Sequence, residues 1–305
     1  MSFKKLLNYY WTGIDYKYLL PFMAMMPVKM GRYFAIMRGK IYAKIGRDWR
    51  QFSFEDHGLK QRVKNSLKTI LPDADNLKIN RLLEQRYIMQ SLEELEACWL
   101  MHKNIMSWPV SYEGLDYVQE LIKIHGRVVF VTSHYGSSIL GVIHLRALGV
   151  PILVMSSNVV EHELVHPAIG KFYRNKYKSM QPFMNGGKVL DREGNSRKFL
   201  NFLKDNGSIV IIGDLPPDPQ EEPLVIDFFG KPRGFASGAH RFAKIFKIPL
   251  LSFVCEYSNS GYKIKFSSPN ENPYTFLEQQ IKKNPSAWWA SDLLELYPVI
   301  NDGEK

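Results

Sequence analysis

Residues 127–141 read RVVFVTSHYGSSILG, a β-branched run that gives way to small residues and then to helical spacing. A short apolar run of this kind, opening just after Gly126, predicts a buried strand feeding a helix. Three further runs repeat the pattern: PILVMS (151–156), SIVIIGD (208–214) and PLLSFVCEY (249–257), each bounded by Gly, Pro or Asn. Between them, residues 137–147, 194–205 and 234–247 carry helical spacing. Strand and helix alternating at this pitch predict βαβ crossovers and an α/β fold, a largely parallel central sheet flanked by helices. YKIKFS (262–267) alternates apolar and basic residues and predicts an antiparallel edge strand. In such a sheet, ligands gather at the carboxyl ends of the strands. His134 lies just past the first strand and Asp214 ends SIVIIGD, so both fall where a site is expected.

Outward from this block, the 305 residues and 45% apolar content suit a globular α/β domain with an appended segment. Cys98 and Cys255 sit in apolar stretches without C-x-x-C pairing, which predicts buried thiols in a reducing compartment. The net charge of +10 is concentrated in residues 1–50, where ten Lys and Arg face only Asp15 and Asp48. That segment also holds YLLPFMAMMPV (18–28), which is shorter than the roughly 20 residues a bilayer core requires. Pro21 and Pro27 are expected to interrupt any helix through it. Aromatic residues (Phe3, Tyr9, Tyr10, Trp11, Tyr16, Tyr18, Phe22) laced with Lys and Arg predict a helix lying on an anionic membrane surface. A core-packing helix with a basic outer face is the alternative. No zinc-finger, RNP or helix-turn-helix pattern supports nucleic-acid binding. Residues 77–103 have the three- and four-residue spacing of a long amphipathic helix. The organisation read from the chain is a basic amphipathic segment at 1–50, a helical lead-in at 51–126 and an α/β domain at 127–305.

Histidine recurs in EHELVHPAIG (161–170), where His162, Glu163 and His166 have the H-E-x-x-H spacing of a zinc site. That chemistry needs both imidazoles inside one helix, and Pro167 disfavours a helical His166. No zinc donor follows in the next turn. The segment is expected to be a solvated loop entering a helix with Pro167 in its first turn, and no metal is expected.

TSHYGSSILG, KVLDREG (188–194), IIGDLPPD (211–218) and DFFGKPRGFASGAHRFAKIFKIPLLSFVCEY (227–257) follow one another in an order that resembles the lipid A late acyltransferases of the lysophospholipid acyltransferase superfamily. The resemblance runs from about residue 15 to 290. His134, Leu190-Asp191-Arg192, Asp214 and Phe228-Phe229-Gly230-Lys231-Pro232 match the family's successive elements, and IKKNPSAWW (281–289) resembles its C-terminal Pro-x-x-Trp segment. The family places an acid five residues after the histidine; here that position is Ile139.

The resemblance implies a glycerophospholipid-acyltransferase-like fold with a membrane-associated N-terminus. It implies transfer of an acyl, or an unusual aminoacyl, group from an acyl-carrier-protein thioester to a hydroxyl or amine of a membrane lipid or glycolipid, with His134 as general base and no other cofactor. The setting it implies is the cytoplasmic face of a bacterial inner membrane, peripheral or monotopic. Asp214 is the first candidate for the missing acid, followed by Glu161 and Glu163. A turn cap, or a pairing with Arg192, is the competing role for Asp214. Asp191 and Arg192 are candidates for an anion clamp, with Arg174, Lys176 and Lys178 adding positive potential. Gly234, Ser237 and Gly238 are candidates for an anion or oxyanion site at a helix start, although tight packing explains the glycines equally. A catalytically silent lipid- or carrier-protein-binding relative, and an acyltransferase acting on a soluble metabolite, are the rival readings. Retention of the histidine and the Asp-Arg element argues against silence.

Overall fold

The computed structural model describes residues 3–300 except 55, 104 and 259. The side chains of residues 3–5 and 52 also lie outside the described set, so Phe3, Lys4 and Lys5 of the basic segment and the last five positions of the 127–305 stretch receive no structural account. The strands are β1 (Val110–Glu113), β2 (Val129–Thr132), β3 (Ile152–Ser156), β4 (Val189–Asp191), β5 (Ser208–Ile212), β6 (Leu224–Asp227), β7 (Pro232–Phe235), β8 (Leu250–Ser258) and β9 (Gly261–Phe266). Seven form one sheet in the order β1-β9-β8-β2-β5-β3-β4, while β6 and β7 form a separate antiparallel hairpin. Every pairing in the large sheet is parallel except β8 with β9.

The strand pairings correct two expectations. The strand at 261–266 is antiparallel to β8 but is not an edge, because β1 pairs along its other side in parallel. VSYE of β1 is four residues long and half polar, too short to stand out by periodicity. The second correction concerns residues 234–247. Helix begins only at Gly238, because Pro232–Phe235 pair with β6. The β6–β7 turn carries positive φ at both Phe229 and Gly230, and Phe228 N–H donates to the Lys231 carbonyl at 2.9 Å. Left-handed backbone at both central residues is the geometry of the tight hairpin turn. It folds Phe228 and Phe229 into the core beside Trp288.

Helices cover both faces of the sheet. One core gathers Leu20, Ala35, Trp99, Ile143 and Phe172 against Phe130 and Val154; the other gathers Phe199, Ala239, Leu277 and Trp288 against Val131 and Leu153. Residues from 1–50, 51–126 and 127–305 therefore share the first core.

The long helix spans Asn76–His102, close to the expected bounds, but from Arg86 to Leu100 no residue is exposed, so no charged face meets solvent there. Arg86, Glu93, Glu94 and Glu96 all lie inside. Each meets an opposite charge: Asp48 at 3.1 Å, Lys176 at 2.9 Å, Arg38 at 2.7 Å and Arg32 at 3.0 Å, respectively. Helical spacing marks the apolar stripe of such a helix, but not that neighbouring elements will supply counter-ions to the other stripe.

At the N-terminus, helix Phe3–Ile14 runs through a π-helical turn at Asp15–Leu19 into helix Leu20–Met25. Pro21 thus does not interrupt the path. The wider turn relieves the clash its ring would make with the carbonyl four residues back. The break comes at Pro27, after which helix Val28–Ile45 starts anew. Among the described residues, no helix is long and apolar enough to cross a membrane.

Candidate active site

The site follows from strand register. Thr132 at the end of β2 is opposite Ile212 at the end of β5, and Gly213 N–H donates to the Thr132 carbonyl at 2.7 Å, carrying the pairing one step further. His134 and Asp214 each lie two residues beyond those partners, so equal extensions of neighbouring parallel strands bring them together. The Asp214 carboxylate accepts the His134 backbone N–H at 2.8 Å and lies 2.9 Å from ring Nδ1. It also accepts the Trp288 indole N–H at 2.6 Å. An acid holding both the backbone and the ring of one histidine leaves that ring little rotational freedom. Because a carboxylate only accepts, Nδ1 is the donor of this bond, which in a neutral imidazole places the lone pair on Nε2. Asp214 is 3% exposed, while a quarter of the His134 side chain is accessible.

The C-terminal segment straps this pair in place. Trp289 N–H donates to the His134 carbonyl at 3.0 Å, Gly136 N–H donates to the Ala287 carbonyl at 2.9 Å, and the Trp289 ring meets the imidazole edge-on at 4.6 Å between centroids. Gly136 has φ +56°, and a Cβ there would lie 2.2 Å from the Cys255 carbonyl oxygen. Only glycine allows β8 to approach the chain just after the histidine. Ile139, at the position where the resembled family carries its acid, is buried in helix Ser138–His144 and lines the adjoining cavity.

That cavity has a volume of about 840 Å³ and draws its walls from both cores. Ile139, Val142, Val160 and Tyr173 belong to the core on one face of the sheet; Phe199, Ile211, Tyr274 and Trp289 belong to the other. His134 lines it together with residues from both faces of the sheet.

The remaining candidates separate. Glu161 pairs with Arg174 at 2.6 Å, both largely exposed, and Glu163 is exposed; neither hydrogen-bonds His134. Arg192 lines the cavity but is paired at 3.1 Å with its neighbour Glu193. Asp191 ends β4, where burial first and Glu193 second push its carboxyl above the usual range. Lys178 is exposed and away from the cavity lining; Lys176, two residues earlier on the same helix, reaches the cavity and bonds Glu93. Gly234 is not at a helix start. It lies in β7, where a Cβ would meet Pro223 and Pro298 at 2.9 Å, so packing accounts for it. Ser237 is the N-cap position of helix Gly238–Phe246, and Gly238 faces open space at the cavity wall.

His162 and His166 are not on one helix. Each turns its Nδ1 to its own backbone, accepting from Leu164 N–H at 3.2 Å and Ala168 N–H at 3.0 Å, the latter capping helix Pro167–Met180. Among the described residues no group of three or more His, Cys, Asp or Glu is placed to hold a metal ion. Reading the sequence did not assign a role to Trp288. The signal was present, a pair of tryptophans after Pro285, but nothing in it says which strand end the indole meets.

A largely parallel α/β sheet carries, at its carboxyl end, a histidine with a buried acid on its Nδ1, beside a mostly apolar cavity. The model of the bacterial lipid A biosynthesis acyltransferases matches residues 3–289, and the chain belongs to that family. It is an acyltransferase. No curated protein matches the chain.

Proposed function

We propose that the protein transfers an acyl group from a carrier-protein thioester to a hydroxyl or amine of a membrane lipid or glycolipid, with His134 as general base and Asp214 as its orienting acid. The observation that carries this reading is the Asp214 carboxylate 2.9 Å from Nδ1 beside a mostly apolar cavity walled from both faces of the sheet. His134 Nε2 takes the proton as the acceptor oxygen or nitrogen attacks the thioester carbonyl. As the new acyl bond forms and the carbon–sulfur bond breaks, the same proton passes to the departing sulfur. Asp214 stays ionised and stabilises the imidazolium formed in between.

Approach from a membrane surface is supported by the N-terminal helices. Tyr10, Tyr18, Phe22, Met25, Tyr33, Ile41 and Ile45 are exposed there, among exposed Lys17, Lys29, Lys40 and Lys44. Arg38, Arg47 and Arg50 of the same segment turn inward instead, to Asp15, Thr12 and Asp48. The surface charge is correspondingly smaller than the sequence count suggests. Arg192 at the cavity wall is the proposed contact for an anionic group of donor or acceptor.

The test is His134→Ala, with product formation and thermal melt read on one preparation. Activity should vanish with the melt retained; turnover within threefold of the parent overturns the mechanism. Sedimentation with anionic vesicles should weaken as salt rises, and equal binding to neutral vesicles would remove the basic contribution.

A further inference from the structure

The part of the cavity wall that includes Ile139, Val142, Val160 and Tyr173 also holds a buried ion pair, Lys176 with Glu93 at 2.9 Å. Both residues are more than nine-tenths buried. Among the described residues the only side-chain hydrogen bond of either ionised group is the one between them. Lys176 Nζ also lies over the Tyr173 ring, 5.0 Å from its centroid, but an ammonium has three N–H donors and a carboxylate two accepting oxygens, so both keep hydrogen-bonding capacity. An ion pair in an apolar wall is costly to desolvate, and replacing such a pair with hydrophobic groups is often neutral or stabilising. Unused donors and acceptors in the wall of a substrate cavity call for a ligand that completes them. That ligand cannot carry a full charge, since a carboxylate would face Glu93 and an ammonium would face Lys176. A neutral group that both accepts and donates satisfies both.

Building on the acyltransferase reading, we infer that the Glu93–Lys176 pair recognises a hydroxyl or amide, other than the group being acylated, carried on an acyl chain in this part of the cavity. The substituent accepts from Lys176 and donates to Glu93. Plain chains leave the pair incompletely bonded, and unmet polar groups are where discrimination is strong.

Two measurements test this. The first is displacement of a fluorescent fatty acid from the purified chain by hydroxylated and unsubstituted fatty acids of equal length, which requires no turnover. The hydroxylated chain should compete at least about tenfold better, and Lys176→Met combined with Glu93→Leu should bring the two to parity without lowering the melt. Equal competition in the parent, or a preference that survives the double exchange, overturns the inference. If the double variant does not fold, Glu93→Gln, which keeps the shape and removes the charge, should reduce the ratio several-fold, and an unchanged ratio is equally fatal.

The second measurement is turnover. A hydroxyl is placed on the donor thioester with the acceptor held constant, and then on the acceptor chain with the donor held constant. The arm that shows the preference identifies the chain, and preference in neither overturns the inference. Absence of any thioester turnover would instead remove the proposed thioester-donor mechanism, while the displacement ratio still decides the subsite.

Discussion

Two stretches of this chain place histidine near acid, and they behave oppositely. In EHELVH the groups are neighbours in sequence with the spacing of a known chemistry, yet the fold disperses them. His162 and His166 bond their own backbone, Glu161 bonds Arg174, and Glu163 faces solvent. At the sheet edge, eighty residues separate His134 from Asp214, and the fold joins them through two hydrogen bonds. Parallel strands in register convert distant positions into neighbours with a precision that a loop ending in proline does not offer. The difference teaches that in an α/β sheet the offset of a residue from its strand end predicts partnership better than its spacing along the chain.

The largest expected effect tests that pairing directly. Asp214→Asn keeps the shape but presents an amide where Nδ1–H needs an acceptor, inviting the wrong tautomer. The rate should fall by a factor on the order of 10³ to 10⁴, as when a triad aspartate is replaced, with the thermal melt little changed. A loss below about tenfold in steady-state assays would mean that the histidine works without its acid.

A second buried acid separates chemistry from architecture. Asp48 lies between Arg50 and Arg86, each at 3.1 Å, and Arg50 continues to Asp292 at 3.0 Å. Burial pushes the Asp48 carboxyl up, but Arg50 and then Arg86 outweigh it and hold it well below the ordinary range. The unfolded chain therefore takes up this proton at higher pH than the folded one. The associated stability is fully present above the usual aspartate range near pH 4 and is lost as pH falls below it. Asp48→Asn leaves Arg86, which is fully buried, short of a counter-charge. It should cost about 3 kcal/mol at neutral pH and flatten the acid limb of stability against pH in urea melts. An unchanged acid limb would show that other carboxylates govern it.

Much of this architecture is legible in the sequence, for reasons that also explain what is not. The four apolar runs become β2, β3, β5 and β8, because fully buried strands need continuous β-branched and apolar residues. The short strands β1, β4 and β6 escape because three or four half-exposed residues carry no such run, and β7 because Pro, Arg and Gly fill it although most of it is buried. His134 and Asp214 stand out because strand ends are readable. Trp288 and Glu93 do not, since their roles depend on which element packs beside them, and pairwise tertiary placement leaves no periodic trace.

A smaller effect is expected at the indole that completes the pair. Trp288→Phe preserves the ring packing against Phe228 and Phe229 but removes the N–H on Asp214. Asp214 Oδ2 still accepts the His134 backbone N–H at 2.8 Å, so the acid is loosened without being freed. kcat should drop about tenfold with KM unchanged, and stability by about 1–2 kcal/mol. A change confined to KM would place Trp288 in substrate binding instead.

The smallest effects belong to EHELVH. Glu161→Gln, Glu163→Gln and His162→Asn should leave turnover within twofold of the parent, and a chelator should change nothing, because these groups meet solvent, Arg174 or their own backbone. His166→Ala is the informative exception. Its Nδ1 caps helix Pro167–Met180 and its ring packs at a tilt against Tyr9, 4.2 Å between centroids, tying the first N-terminal helix to the loop. Loss of an N-cap costs about 1 kcal/mol, so the melt should fall slightly while kcat holds. If Glu163→Gln instead reduced the rate a hundredfold, an acid from this loop would have to reach His134 during turnover. The contrast between the two stretches would then hold only for the resting enzyme, and Asp214 would have to share its role.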